Sequence, residues 1–275
     1  MPVVITKSLP GTSLGTAVAD TQLGAATQKA PEWAKELLAV KAGGVVVTPT
    51  STEAVHGTFR VASNDFSCYP SSFPYIFENG AVATTNHTVS MPLELWPCNW
   101  PIHGGDAYDI YGQSDQACTA APYAIAHVYF GDGEGIMSSR DDPFPHLPRF
   151  HWIGASVALA STAQALTAIT ITGAKAITEV NGYVIAPTIA TAARPEIGRI
   201  QLNSNGFFTS PIDYVVEVIN GGLGTILGTP NVCKISRDRI MMPVSPTTII
   251  NPLYYQNNAT AVTTSRARAG VTFIR

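Results

Sequence analysis

Laid against itself, the sequence repeats, which restricts the fold to two copies of one unit. Residues 57–80, GTFRVASNDFSCYPSSFPYIFENG, lie without a gap over residues 198–221, GRIQLNSNGFFTSPIDYVVEVING, at an offset of 141. Gly57, Ser63, Asn64, Phe66, Pro70, Asn79 and Gly80 match Gly198, Ser204, Asn205, Phe207, Pro211, Asn220 and Gly221. A second window from Asp109 lies over Pro252 onward at an offset of 143, with Tyr111, Gln113, Ala124, Ala126, Val128 and Phe130 over Tyr254, Gln256, Ala267, Ala269, Val271 and Phe273. In a third, at an offset of 138, Gly44, Val46, Pro49 and Thr50 lie over Gly182, Val184, Pro187 and Thr188. The windows are collinear. Their matching glycines, Asn-Gly pairs and prolines mark turns and strand ends, so what repeats is a spacing of turns.

Between the turns the runs are short and rich in Val, Ile, Thr and aromatic residues, as in GTFRVAS, AIAHVYF, GRIQLNS and AGVTFIR. Period-two spacing at Ile169 and Ile171 and at Ile200 and Leu202 places one face of each strand on a core. Seven or eight strands fit in each half, the count of a double-sheet jelly roll. The fold expected is all-β: two tandem jelly-roll β-sandwiches, a double jelly roll produced by internal duplication. The first sandwich, with an N-terminal arm or first strand, spans 1–131. A Gly-, Pro- and Asp-rich linker spans 132–149, and the second sandwich spans 150–275.

One stretch pulls against this. Pro31 to Ala42, PEWAKELLAVKA, has Pro at a helix start and Gly43 past its end. Its counterpart under the repeat, GAKAITEVNG, carries Ile and Thr and favours a strand. With Ala34, Lys35 and Val40 lying under Ala174, Lys175 and Val180, the stretch is expected to be a strand despite its local helix propensity.

Charged residues make up only 13 % of the chain, against roughly 25 % in an average soluble domain. A weakly charged surface invites association, so the composition points to a subunit covered by neighbours or to a neutral secreted β protein. No segment approaches the run of about 18 apolar residues that spans a bilayer. MPVVITKSLPGTSLG has no basic start followed by an apolar core, so the chain is expected to begin near Met1 inside a cell. Cys68, Cys98, Cys118 and Cys233 lack C-x-x-C spacing, and thiols are expected in place of disulfides or a zinc site. Asn86-His87-Thr88 and Asn258-Ala259-Thr260 fit the glycosylation pattern but carry no weight without secretion.

Chemistry-bearing groups do not converge. Asp132, Glu134, Asp141 and Asp142 crowd the linker without the twelve-residue calcium-loop pattern. His56, His87, His103, His127, His146 and His151 are dispersed, and the H-x-H pair that a two-domain cupin needs is missing. There is no nucleophile elbow, dinucleotide fingerprint or phosphate loop. Gly104-Gly105 beside Asp106 and Asp109 reads as a turn. Trp96, Trp100, Tyr108 and Tyr111 are candidates for a carbohydrate-binding face, with packing in a core or interface as the simpler account. No catalytic, cofactor or metal residue is assigned, and no enzyme activity is expected.

Residues 1–149 carry 7 basic and 14 acidic side chains, and residues 150–275 carry 9 and 5. The halves therefore have opposite net charge, which suits alternating contact between subunits. Arg266, Arg268 and Arg275 form too weak a basic patch for sequence-specific nucleic-acid binding.

The tandem repeat, with windows starting at Gly44, Gly57 and Asp109 and at Gly182, Gly198 and Pro252, resembles the double jelly-roll major capsid proteins of tailless icosahedral DNA viruses and phages. That resemblance implies homotrimers whose six sandwiches tile an icosahedral virion shell, assembled in the host cytoplasm, with minor vertex proteins and an internal membrane as partners. Short loops here imply no outward towers. The competing readings are a tandem β-sandwich carbohydrate-binding protein and a bicupin or hydrolase-like enzyme.

Overall fold

The computed structural model describes residues 4–13, 19–24, 26–45, 55–65, 71–77, 94–115, 123–133, 147–158, 163–185, 196–207, 212–218, 234–256 and 266–275. Every named element among them is a β-strand. In the first half these are β1 (Val4–Ser13), β2 (Thr21–Gln22), β3 (Gln28–Lys29), β4 (Glu36–Val45), β5 (Val55–Ala62), β6 (Ser71–Phe77), β7 (Glu94–Pro101), β8 (Ala107–Ser114) and β9 (Tyr123–Gly131). In the second half they are β10 (Arg149–Ile153), β11 (Val157–Ala158), β12 (Ala163–Ala165), β13 (Ile169–Thr172), β14 (Ala176–Ile185), β15 (Glu196–Ser204), β16 (Ile212–Val218), β17 (Lys234–Pro243), β18 (Thr247–Gln256) and β19 (Arg266–Ile274).

Four antiparallel sheets result. The first half has β1-β9-β4-β7 and β2-β8-β5-β6, with β3 also on β8; the second has β10-β19-β14-β17 and β12-β18-β15-β16, with β13 also on β18 and β11 on β19. With each broken pair taken as one strand, both halves have the eight-stranded, two-sheet order of a jelly roll. Its second strand is interrupted in both. In the second half the break faces Pro252, which has no amide hydrogen to give the ladder; Leu166 N donates to Pro252 O at 2.9 Å, between the paired segments.

The halves repeat down to an irregularity. On β4 the ladder slips between Leu37 and Ala39, and on β14 between Ile177 and Glu179, against both neighbouring strands. Leu37 pairs with Trp100 and Ala39 with Pro97, as Ile177 pairs with Met242 and Glu179 with Arg239. Bulges bend a strand and raise its twist, and they recur at fixed positions in related sheets. Asn99, inside the first bulge, takes φ 50°, a left-handed conformation that Asn tolerates better than most residues.

Strand pairing corrects two of the sequence windows. Val61 pairs with Ile110 as Leu202 pairs with Pro252, so β8 and β18 align one residue away from the match of Tyr111 to Tyr254, while the matches of Ala124, Ala126, Val128 and Phe130 to Ala267, Ala269, Val271 and Phe273 hold. A one-residue slip exchanges the faces of a strand: Tyr254 is 1 % exposed in the core, whereas Tyr111 is half-buried on the outer face beneath Arg60. The true counterpart of Tyr111 is Leu253. Likewise Val40 pairs with Val128 as Val180 pairs with Val271, which puts Gly44 opposite Val184 and not Gly182. The Gly57 to Gly198 window holds throughout β5 and β6.

The helix-like stretch resolves as expected for most of its length. Ala34 N donates to Pro31 O at 2.9 Å to close a turn, and from Glu36 the chain is β4. Leu37 to Val40 are fully buried, and β4 is flanked by β9 and β7. Burial on both faces with two ladders outweighs local helix preference. The N-terminal stretch, for which an arm was one expectation, is an edge strand from Val4.

The Gly104-Gly105 turn fits tightly, because a Cβ at Gly104 would lie 1.9 Å from the backbone oxygen of Glu32. Neither backbone can move without disturbing the β3–β4 connection. Gly104→Ala is therefore expected to destabilise the fold by about 1–3 kcal/mol, as overpacking does, read as a lowered midpoint in urea unfolding.

Candidate functional site

The first sandwich has an open side where its two sheets end, at β6 and β7. There β10 of the second half packs against both strands. Phe150 stacks on Trp100 at 6.0 Å and on Phe273 at 5.7 Å, linking the two interiors into one hydrophobic cluster. Such aromatic contacts contribute about 0.5–1.5 kcal/mol each beyond the area they bury. The indole Nε1 of Trp100 donates to Arg149 O at 2.6 Å.

Polar groups complete the seam. His151 is 2 % exposed, with Nε2 2.7 Å from Pro97 O and Nδ1 2.9 Å from Thr272 Oγ1. A carbonyl only accepts, so Nε2 carries the hydrogen, and Nδ1 shares a hydrogen bond with the threonine hydroxyl. The edge of the Trp96 ring system meets the imidazole at 5.3 Å and 72°.

Two arginines on one face of β19 reach across. Arg268, 2 % exposed, donates from Nη1 to Gly57 O at 2.9 Å, from Nη2 to Thr58 Oγ1 at 2.7 Å and from Nε to Gly154 O at 3.2 Å. Arg266 donates from Nε to Ser156 Oγ at 2.7 Å and lies 3.5 Å from the Asp115 carboxylate. The planar guanidinium spreads its charge over fixed donors, which suits it to buried acceptors better than a lysine would be. This arrangement fixes the two sandwiches relative to each other.

The seam absorbs residues that the sequence left scattered. His151, one of the dispersed histidines, sits in it, and Arg266 and Arg268 are structural rather than a surface patch. Arg275 lies over the Phe150 ring at 5.7 Å. A signal was present in RARAG, where arginines two apart share one face of a strand whose other face is apolar. Of the candidate aromatic face, Trp96, Trp100 and Tyr108 are at most 1 % exposed, and burial pushes the Tyr108 phenol well above its usual pKa. Only Tyr111 keeps partial exposure, so these four do not make a glycan platform.

The remaining candidates stay apart. His103 is 91 % exposed and 3.7 Å from Asp106, which accepts the His103 backbone N–H at 2.7 Å and so builds the turn. Asp109 accepts from Gln22 at 2.6 Å. Cys98 is buried. His127 is half-buried on β9, and the side chain of His56 on β5 lies outside the described residues, as do His87, His146, Glu134, Asp141, Asp142, Cys68, Cys118 and Cys233. Among the described residues no three His, Cys, Asp or Glu side chains are grouped to hold a metal ion.

No family model matches this chain, and no curated protein matches it in sequence. Among solved structures, that of Sulfolobus Turreted Icosahedral Virus aligns over 98 % of this chain and 90 % of its own, at 9 % identity and a TM-score of 0.42. The structure of the infectious bursal disease virus Gx strain aligns over 99 % and 72 %, at 13 % identity and a TM-score of 0.30. Recombinant peptide:N-glycanase F aligns over 99 % and 95 %, at 8 % identity and a TM-score of 0.38. Two virus structures and a glycanase share this loose likeness, and no role follows from it.

Arg268→Met is expected to destabilise the protein by about 1–3 kcal/mol, since buried acceptors lose their donor. Arg60→Met, which removes a pair with Asp20 between side chains 36 % and 43 % exposed, is expected to change stability by under about 1 kcal/mol. Urea unfolding of the two variants side by side checks the contrast.

Proposed function

We propose that this protein is a structural shell-forming subunit, a major capsid protein, and not an enzyme. The observation that carries the reading is the seam: two jelly rolls of identical strand order are joined through buried aromatic and arginine contacts into one block. The low charge of the chain supports it, because a block with few surface charges is suited to being covered by neighbours.

In this reading the units 1–131 and 150–275, tied by the linker 132–149, form homotrimers. Six sandwiches then make a pseudo-hexagonal tile of an icosahedral virion shell. Assembly in the host cytoplasm, minor vertex proteins and an internal membrane belong to the same proposal. Sequence-specific nucleic-acid binding does not, since Arg266 and Arg268 are engaged within the chain.

Light scattering on the purified protein during size exclusion is the test. The expected result is three times the chain mass or larger closed particles, with association weakening as salt screens the contacts between oppositely charged halves. A stable monomer that binds glycans would overturn the proposal in favour of a carbohydrate-binding module.

A further inference from the structure

An asparagine followed by a glycine is prone to rearrange without an enzyme. The backbone nitrogen of the glycine, stripped of its proton by water, attacks Cγ of the asparagine. The bond from Cγ to the side-chain nitrogen breaks, ammonia leaves and a five-membered succinimide forms, which a water molecule opens to aspartate or isoaspartate. The net change turns one amide and one water into one carboxylate and one ammonium, with no oxidant or reductant. Glycine favours the attack because it has no side chain to hinder its nitrogen and few limits on its backbone angles.

Among the described residues there are two such pairs, Asn181-Gly182 and Asn205-Gly206. Asn181 is 2 % exposed in the middle of β14, paired with Arg237 on one side and Gly270 on the other. A backbone laddered on both sides cannot swing its nitrogen onto the preceding side chain. Asn205 is exposed, in the turn just past the end of β15 at Ser204. The packing keeps glycine after it: a Cβ at Gly206 would overlap Thr248 Oγ1 and lie 2.8 Å from Ser245 Oγ, so the bulkier residues that slow the attack do not fit. In the first half the equivalent pair is Asn64-Asp65, whose second residue carries a side chain bonded to Ala107 N at 2.8 Å. Both turns close alike, with Asp65 N donating to Ser63 Oγ at 3.1 Å and Gly206 N to Ser204 Oγ at 3.0 Å. In the second half that hydrogen bond occupies the attacking nitrogen and must break before the nitrogen reacts.

We propose that Asn205 is a site of spontaneous deamidation and that the Ser204 hydroxyl is its brake. The product adds a negative charge to residues 150–275, which carry 9 basic and 5 acidic side chains. Isoaspartate also lengthens the main chain by one carbon between residues 205 and 206. It does so in a turn where Gly206 is held at its N–H by Ser204 and at its C=O by Ser245 N at 3.0 Å. With age the protein therefore acquires a second covalent form, altered in charge and in the seating of one turn. This stands apart from the shell reading and holds for a single chain as for an assembly.

The test holds the purified full-length protein in mildly alkaline buffer, digests samples in mild acid and follows the peptides by mass spectrometry. Aspartate and isoaspartate are expected to build up at position 205 while position 181 stays asparagine. In concentrated urea both positions are expected to react at similar rates, since the fold sets the difference. Ser204→Ala is expected to speed conversion at 205 by about two- to tenfold, the loss of one hydrogen bond from the reacting N–H. If Ser204→Ala melts early, Ser204→Cys replaces it, with a weaker acceptor in the same place. The proposal is overturned by a folded protein that keeps asparagine at 205 while the unfolded one reacts. Conversion at 181 as fast as at 205 without urea, or a folded Ser204 variant no faster than wild type, overturns it equally.

Discussion

The open side of the first sandwich is the constraint on which the rest of the structure depends. A jelly roll is two sheets face to face, and where both sheets end their interior and ladder edges face outward. Here that opening is covered by β10, with Phe150 placed between Trp100 and Phe273. The first half has a sealed interior because the second half is attached, so the two behave as one core. The buried polar groups follow from this. Once β10 lies across the edge, the Pro97, Gly57 and Gly154 carbonyls lose water and need donors, which His151 and Arg268 supply.

Much of the architecture was legible in the sequence because turns are encoded locally. Gly57 and Gly198, with the spacing that follows them, placed β5, β6, β15 and β16 in register, and the strand at Glu36 followed from its counterpart despite a helical appearance. What misled was identity itself. Tyr111 over Tyr254 scores as a match but joins an outer-face residue to a core residue, because letter matching is blind to which face a strand presents. Leu253, the true counterpart, shares only the face.

The seam was barely legible for a related reason. Burial of Arg268 or His151 depends on a surface contributed from over fifty residues away or more, and no local pattern announces that a carbonyl at Pro97 or Gly57 awaits a donor. Charge counts by halves give the sign of an attraction and not its place. Within the chain, the Arg266 to Asp115 pair joins a basic residue of the second half to an acidic residue of the first. A net charge describes a half, while a salt bridge belongs to one face of one strand.

The strand order also has a kinetic side. In both halves an inner strand of one sheet, β9 or β19, follows in sequence the strands it joins: β9 separates β1 from β4, and β19 separates β10 from β14. Until that strand is in place, its neighbours have no partner on that side. Contacts of such long sequence separation slow folding and leave ladder edges exposed meanwhile. The hazard lies in the interval before β9 or β19 is inserted, when β4 or β14 of one chain can pair with the late strand of another. Crowded synthesis then raises the exposure to strand exchange, and the rate of inserting one strand per half becomes a property as consequential as the stability of the finished fold.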